Sequence, residues 1–163
     1  VKNDIIKLSS EIINLLTVEM GIEKDFPLSL GGVKTGRYSA QTYYNQSFNG
    51  IEVKPFGAVR LDFGSKGQLL SLYSDYVSNI QPVNQALLSQ SETRKIVQSL
   101  TDKPNKPFLK METGRLVLWV SKRKSSLGYV EGRYAYQFNK AGTQIIIDAQ
   151  NGDTLYKKSK RHY

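Results

Sequence analysis

The sequence predicts an α+β protein built from two successive units, each a helix followed by an antiparallel meander. Three observations carry this. An apolar spacing of three and four residues occurs twice, near the start and again after Pro82. Each such stretch is followed by short, partly alternating runs cut by glycine turns. Asn49-Gly50 and Asn151-Gly152 place a tight-turn signal in each half. The chain has 163 residues, enough for one or two small domains, and is 39% hydrophobic and 23% charged, too apolar for a disordered segment.

The first helix rests on Ile5, Ile6, Leu8, Ile12, Ile13, Leu15, Leu16 and Met20, with Asn3 or Asp4 as cap and Gly21 as terminator. Phe26 to Gly36, with Pro27, Gly31-Gly32 and Gly36, reads as a connecting loop. A strand from Tyr38 to Phe48 ends at the Asn49-Gly50 hairpin. A second, Ile51 to Phe63, places Val59, Leu61 and Phe63 on one face, with Arg60 and Asp62 on the other. Gly64 to Gly67 turns the chain into a third strand, Gln68 to Tyr76.

Pro82 marks the boundary between a module of residues 1–81 and one of residues 82–163. Ser89 and Glu92 then form a capping box, opening a helix expected to bury Ile96, Val97 and Leu100. The run Asp102 to Pro107 breaks it. Strands are expected at Phe108–Met111, Arg115–Ser121, Gly132–Asn139, Thr143–Asp148 and Thr154–Lys158. Turns fall at Thr113-Gly114, Ser125–Gly128, Lys140–Gly142 and Asn151-Gly152. The same order of elements in both halves suggests an internal structural repeat, with slight identity between them.

Charge is unevenly spread. The net charge is +9, yet residues 1–80 hold eight basic and eight acidic side chains, and residues 81–163 hold fifteen and six. Two clusters stand out: Lys122-Arg123-Lys124, and Lys157, Lys158, Lys160 and Arg161. Such a surface suits nucleic acid, an anionic membrane or an acidic protein; a solvated loop and tail are the plain alternative. No apolar run approaches the roughly 20 residues of a membrane span. The N-terminus has no signal-peptide pattern, so a targeting segment is expected to be absent or already removed.

With no cysteine and a single histidine, His162, the chain lacks the residues for a disulfide framework, a zinc finger, an iron–sulfur site or a cysteine nucleophile. Glu11, Glu19 and Glu23 lie along the first helix, while Asp62, Asp75, Asp148 and Asp153 are placed at strand ends or turns. Nothing marks a carboxylate pair of the glycosidase kind, and there is no phosphate-binding glycine motif. A non-enzyme with no cofactor and no metal site is therefore expected. Trp119 before Lys122–Lys124, and Tyr129, Tyr134 and Tyr136 around Arg133, could stack single-stranded nucleic acid. Trp119 among Leu116, Val117, Leu118 and Val120 fits a core position better, and Tyr134 and Tyr136 alternate as cross-strand packing requires. Nucleic acid is thus the less favoured partner.

The run Tyr43-Tyr44-Asn45-Gln46-Ser47-Phe48-Asn49-Gly50-Ile51-Glu52-Val53, then Phe56-Gly57, the turn from Asp62 to Gly67 and the strand Gln68 to Leu72, resembles the N-terminal propeptide (FTP) domain of thermolysin-like and fungalysin-like metalloproteases. The second half resembles the PepSY domain that follows it there. This rests on Ser89-Gln90-Ser91-Glu92, Leu116 to Trp119, Tyr134-Ala135-Tyr136-Gln137-Phe138, and Ile146-Ile147-Asp148-Ala149-Gln150-Asn151-Gly152-Asp153-Thr154-Leu155-Tyr156. The two matches cover about residues 38–158. Glu52 stands where the family's hairpin has proline, Lys54-Pro55 resembles a small insertion, and no His-Glu-x-x-His is present.

The resemblance implies cystatin-like units and a secreted or cell-envelope location. It also implies a non-catalytic segment that inhibits a thermolysin-like metalloprotease catalytic domain and assists its folding. The tail would then enter the protease cleft through Lys160, Arg161, His162 and Tyr163, with His162 able to approach the partner's zinc or simply to stand as a terminal side chain. Lys122, Arg123, Lys124, Lys157 and Lys158 would form the basic surface. A free-standing cell-envelope module for another protein or an acidic polymer is the alternative, and single-stranded nucleic-acid binding the third.

Overall fold

A computed structural model describes residues 1–101, 113–140 and 142–159; the expected break at 102–107, the strand at 108–111 and the tail 160–163 lie outside them. The fold is α+β: two helices, each followed by antiparallel strands, in two compact units. One unit comprises Val1–Ile80 with Lys122–Val130, the other Gln81–Ser121 with Glu131–Tyr163.

In the first unit, helix α1 (Lys2–Leu15) buries Ile5, Ser9 and Ile13. Asn3 and Asp4 do not cap it, because the helix starts earlier: they are already helical and Val1 holds the cap position. Beyond Leu15 the chain keeps turning. Ile22 N–H bonds Thr17 C=O, Gly21 N–H bonds Val18 C=O, and Gly21 sits at φ +66. That is a Schellman stop, and glycine is needed for its left-handed residue. Leu15, at 79% exposure, is not part of the core.

The expected loop at 26–36 is instead largely strand: β1 (Leu28–Thr35) pairs antiparallel with β2 (Ser39–Phe48). Glycines that ordinarily mark a loop stand inside this strand. The register shifts between Leu30 and Gly32, so Gly31 is the extra residue of a β-bulge, a place where glycine suits a strand. At the far end of β2, Asn49 (φ 48) and Gly50 (φ 76) both lie in the left-handed region, as the hairpin demands. The expected strand 51–63 is two strands, β3 (Ile51–Lys54) and β4 (Ala58–Gly64), separated at Pro55–Gly57. Gly57 at φ +91 turns the chain, and a Cβ there would stand 2.8 Å from Gln46 Cβ. Strand β5 (Leu69–Ser74) completes the order β1-β2-β4-β5.

Val59, Leu61 and Phe63 are fully buried, packing with Ile5, Ile13, Ala40 and Tyr44. Each contributes about 1.5–3 kcal/mol of burial free energy. Ser9 is fully buried on the same helix stripe because Tyr44 needs a partner for its phenol: Ser9 Oγ and Tyr44 Oη are 2.6 Å apart. The opposite sheet face is polar, with Gln41, Asp62 and Ser71 in one cross-strand row and Tyr43, Arg60 and Tyr73 in the next.

The second unit begins at Gln81, within the short strand β6 (Ile80–Pro82), and runs into helix α2 (Gln90–Thr101). The capping box forms reciprocally: Glu92 N–H donates to Ser89 Oγ at 3.1 Å, and Ser89 N–H donates to Glu92 Oε2 at 2.6 Å. These two contacts with Ser89 hold the Glu92 carboxyl below the usual range. Val97 is buried and Ile96 partly so, but Leu100 is 50% exposed. Thr93 takes the inward position instead.

Strands β7 (Arg115–Trp119), β8 (Val130–Lys140), β9 (Thr143–Asp148) and β10 (Thr154–Ser159) form an antiparallel meander in that order. Gly152 (φ +81) makes the last turn. Ile145 and Ile147 pack with Val97 and Phe138, whereas Ile146 packs with Val117, Trp119 and Ala135. This continuous apolar run is buried on both faces.

Candidate functional site

Strand β10 places Lys157 opposite Ile145 and Lys158 opposite Gln144, with both lysines exposed. Tyr156, on the strand face opposite to Lys157, lies 5.3 Å, centroid to centroid, from the Trp119 ring. Lys160, Arg161, His162 and Tyr163 lie outside the described residues. Lys122, Arg123 and Lys124 are exposed on the loop after β7, and that loop belongs to the first unit. Counted this way, the first unit has eleven basic and eight acidic residues and the second twelve and six. The excess charge is therefore shared between the units rather than confined to one.

Within the first unit, Arg123 and Lys124 line a cavity of about 410 Å³ together with Tyr76–Asn79, Ser125 and Gly128–Val130. The 76–79 segment is irregular and fixed from several sides. Gln46, fully buried on β2, donates from Nε2 to the Val77 carbonyl at 2.7 Å and accepts the Val77 N–H at 3.0 Å. Tyr76 donates to the Phe26 carbonyl at 2.7 Å and accepts the Glu23 N–H at 2.9 Å; burial pushes its phenol up. Asn79 adopts φ 60, a conformation asparagine tolerates, and its side chain donates to the Gly128 carbonyl. Val130 N–H donates back to Asn79 C=O at 2.8 Å. Arg123 Nη2 reaches the Ser74 carbonyl at 3.4 Å. The basic loop is thus tied down at Ser74 and Asn79.

The second unit holds a charged network that the sequence did not signal. Asp148, buried at the end of β9, accepts from Arg133 Nε at 2.7 Å, Asn84 Nδ2 at 3.1 Å and the Gln150 N–H at 2.8 Å. Burial pushes this carboxyl up, but the bonds from Arg133, Gln150 and Asn84 outweigh it and hold it below its ordinary value. Asn84 in turn accepts the Tyr134 N–H at 2.7 Å and donates to the Tyr134 carbonyl at 3.0 Å. The network locks the 148–152 turn and the 84–88 segment onto β8. With Asp148 and Asn84 buried and their hydrogen-bonding groups partnered, the network's role is structural.

Asp62 is not at a strand end as expected but in the body of β4, accepting from Ser71 Oγ at 2.5 Å, which keeps its carboxyl low. Asp75, by contrast, accepts the Ala58 N–H just beyond β5. Trp119 is 7% exposed, a core position, and Tyr136 donates its hydroxyl to the Leu88 carbonyl. Among the described residues, no group of three or more His, Cys, Asp or Glu side chains is placed to hold a metal ion, and no helix is long and apolar enough to cross a membrane.

No family model matches the chain, and no curated protein does. Among solved structures, the C-terminal domain of Bacillus megaterium YpeB is similar at 12% identity and a TM-score of 0.48, over 99% of this chain and 66% of that one, just under two thirds of its length. A candidate lipoprotein from Clostridium difficile 630 matches at 9% identity and a TM-score of 0.29, over 92% of this chain and 91% of that one.

Proposed function

We propose that this chain is a non-catalytic, propeptide-like module of the cell envelope or secreted space. In this reading it binds a thermolysin-like zinc metalloprotease, inhibits it and assists its folding. The observation that supports this best is the closing strand: β10 carries Lys157, Lys158 and Ser159 exposed at its end, directly before Lys160–Tyr163. A pro-segment needs a rigid sheet that delivers a short tail to the cleft, and it needs no catalytic residue of its own. The motif order over residues 38–158 supports the same reading.

The test is direct. Added at a one-to-one ratio, the full chain should slow a thermolysin-like protease, and removing residues 157–163 should relieve that inhibition. An acidic protease should be captured more slowly as salt rises, because steering is screened. No inhibition at stoichiometric level, with or without the tail, defeats the proposal.

A second reading is favoured by the Arg123–Lys124 cavity: a free-standing envelope module that binds another protein or an acidic polymer. A coding frame continuing past Tyr163 into a His-Glu-x-x-His domain would decide for the first reading. Single-stranded nucleic-acid binding is weakened by the burial of Trp119, which withdraws the largest stacking ring. Steep salt dependence of a measured affinity would restore it.

A further inference from the structure

We propose that the cavity formed by residues 76–79 and the 123–130 loop binds a carboxylate carried on an apolar stem, that is, an acidic side chain of a partner peptide. Its wall chemistry is divided. Arg123 and Lys124 are exposed cations, no carboxylate lines the space, and among the described residues neither cation has an ion-pair partner. Glu23 is not among the lining residues, and its Oε1 accepts the Asn79 N–H at 2.5 Å. The lining therefore carries two positive charges, together with the hydroxyls of Ser78 and Ser125. The guanidinium, held through Nη2 at Ser74, presents a planar fork suited to two anionic oxygens.

Beside Asn79, Gly128 and Tyr129, the lining has an apolar part. Tyr76, Val77 and Val130 are buried side chains that contribute to the wall. A compact inorganic anion gains nothing from that surface and would fill only a small part of about 410 Å³. An acidic side chain with its methylenes and flanking backbone uses both parts, and sites of this size commonly pair an apolar lining with a few placed polar groups. The walls are also preorganised. Gln46 clamps Val77, and Asn79 and Val130 bond each other across the two segments, so little ordering remains on binding.

This site does not rest on the protease reading, and its test uses no protease. The full chain, labelled with nitrogen-15, is titrated with acetyl-Glu-Val-Glu-amide, with the matching Gln-Val-Gln peptide and with inorganic phosphate. The acidic peptide should give saturable shifts at Ser78, Asn79, Ser125 and Gly128. The neutral peptide should bind at least about tenfold more weakly, the worth of a lost charge-assisted contact, and phosphate should also bind more weakly because it leaves the apolar wall uncovered. Replacing Arg123→Gln and Lys124→Gln together should weaken the acidic peptide by a similar factor, and Arg123→Lys alone should weaken it in part. Equal binding of phosphate or of the neutral peptide overturns the proposal. So do shifts confined to Lys157 and Lys158, or unchanged binding by the double variant. Should that variant lose its folded spectrum, the single changes Arg123→Lys and Lys124→Gln decide by the same criterion.

Discussion

Each unit fixes a distant piece of chain with a buried amide side chain, but the two amides sit in different surroundings. In the first, Gln46 reaches out from a strand and grips the backbone of Val77 in a connecting segment. In the second, Asn84 reaches out from a connecting segment and grips the backbone of Tyr134 in a strand. Gln46 is a neutral clamp with no titrating partner. Asn84 is also bonded to Asp148, which is paired with Arg133, so the second clamp is coupled to charge. The sheets differ in the same sense: one has a polar outer face, whereas the other buries its central apolar run on both faces. The same architecture is thus stabilised mostly by a one-sided core in one case, and by a two-sided core plus an ion pair in the other.

The largest test removes the cores themselves. Phe63→Ala and Phe138→Ala should each cost about 3–5 kcal/mol, because both rings are fully buried. Hydrogen exchange read separately over β4 and β8 should show each loss centred on its own unit, and an equal loss in both units from either change would end the division. Next come the clamps. Asp148→Ala should cost roughly 2–4 kcal/mol, leaving Asn84, Gln150 and Arg133 without their acceptor; Gln46→Ala should cost about 1–3 kcal/mol. Chemical denaturation ranks the two, and a larger cost at Gln46 would reverse the comparison.

Acid should separate them further. Asp148 has a folded value lowered from 3.8, so its contribution is present above that value and disappears as pH falls through the lower folded one. Stability measured from pH 6 down to pH 2 should fall in the wild type, and Asp148→Asn should flatten that fall, whereas Gln46→Ala should leave its slope unchanged. Ser89→Ala, which breaks the capping box, should cost about 1 kcal/mol, seen as fraying of α2. Arg60→Ala should cost less than about 1 kcal/mol in a thermal melt. Its Nε stands 3.2 Å from Asp62 Oδ1, in a pair whose side chains are still partly exposed; these two atoms are themselves shielded from solvent, and neither makes a well-aligned hydrogen bond.

What the sequence made legible was local. Asn49-Gly50, the alternation of Val59, Leu61 and Phe63, the Ser89–Glu92 box and the buried position of Trp119 each depend on neighbours a few residues away. What escaped was of two kinds. Strand β1 was hidden because Gly31-Gly32 and Pro27 carry loop chemistry, and only pairing with β2 shows that the glycines form a bulge. Gln46, Asn84 and Asp148 were hidden because polar residues have no period, and their partners lie 31, 50 and 15 residues away. The basic loop was visible as charge, but its cavity needs residues 76–79, which no local signal joins to residues 123–130.

The bulges have a consequence for how the protein behaves in a crowded solution. Strands β1, β5 and β10 each carry one extra residue against the partner strand: Gly31, Leu70 and Leu155. A regular outer strand is a template on which another chain can add, and an irregular one interrupts the ladder that such growth requires. Lys34 on β1 and Lys157 and Lys158 on β10 add charge to two of these borders. A Cβ at Gly32 would meet nothing within 4 Å, so Gly32→Val lengthens the apolar border without crowding the fold. It should raise light scattering on concentration while leaving the monomer's melting point nearly unchanged. These defects in the pleat work against the growth of a sheet-rich, strongly basic chain through its own edges.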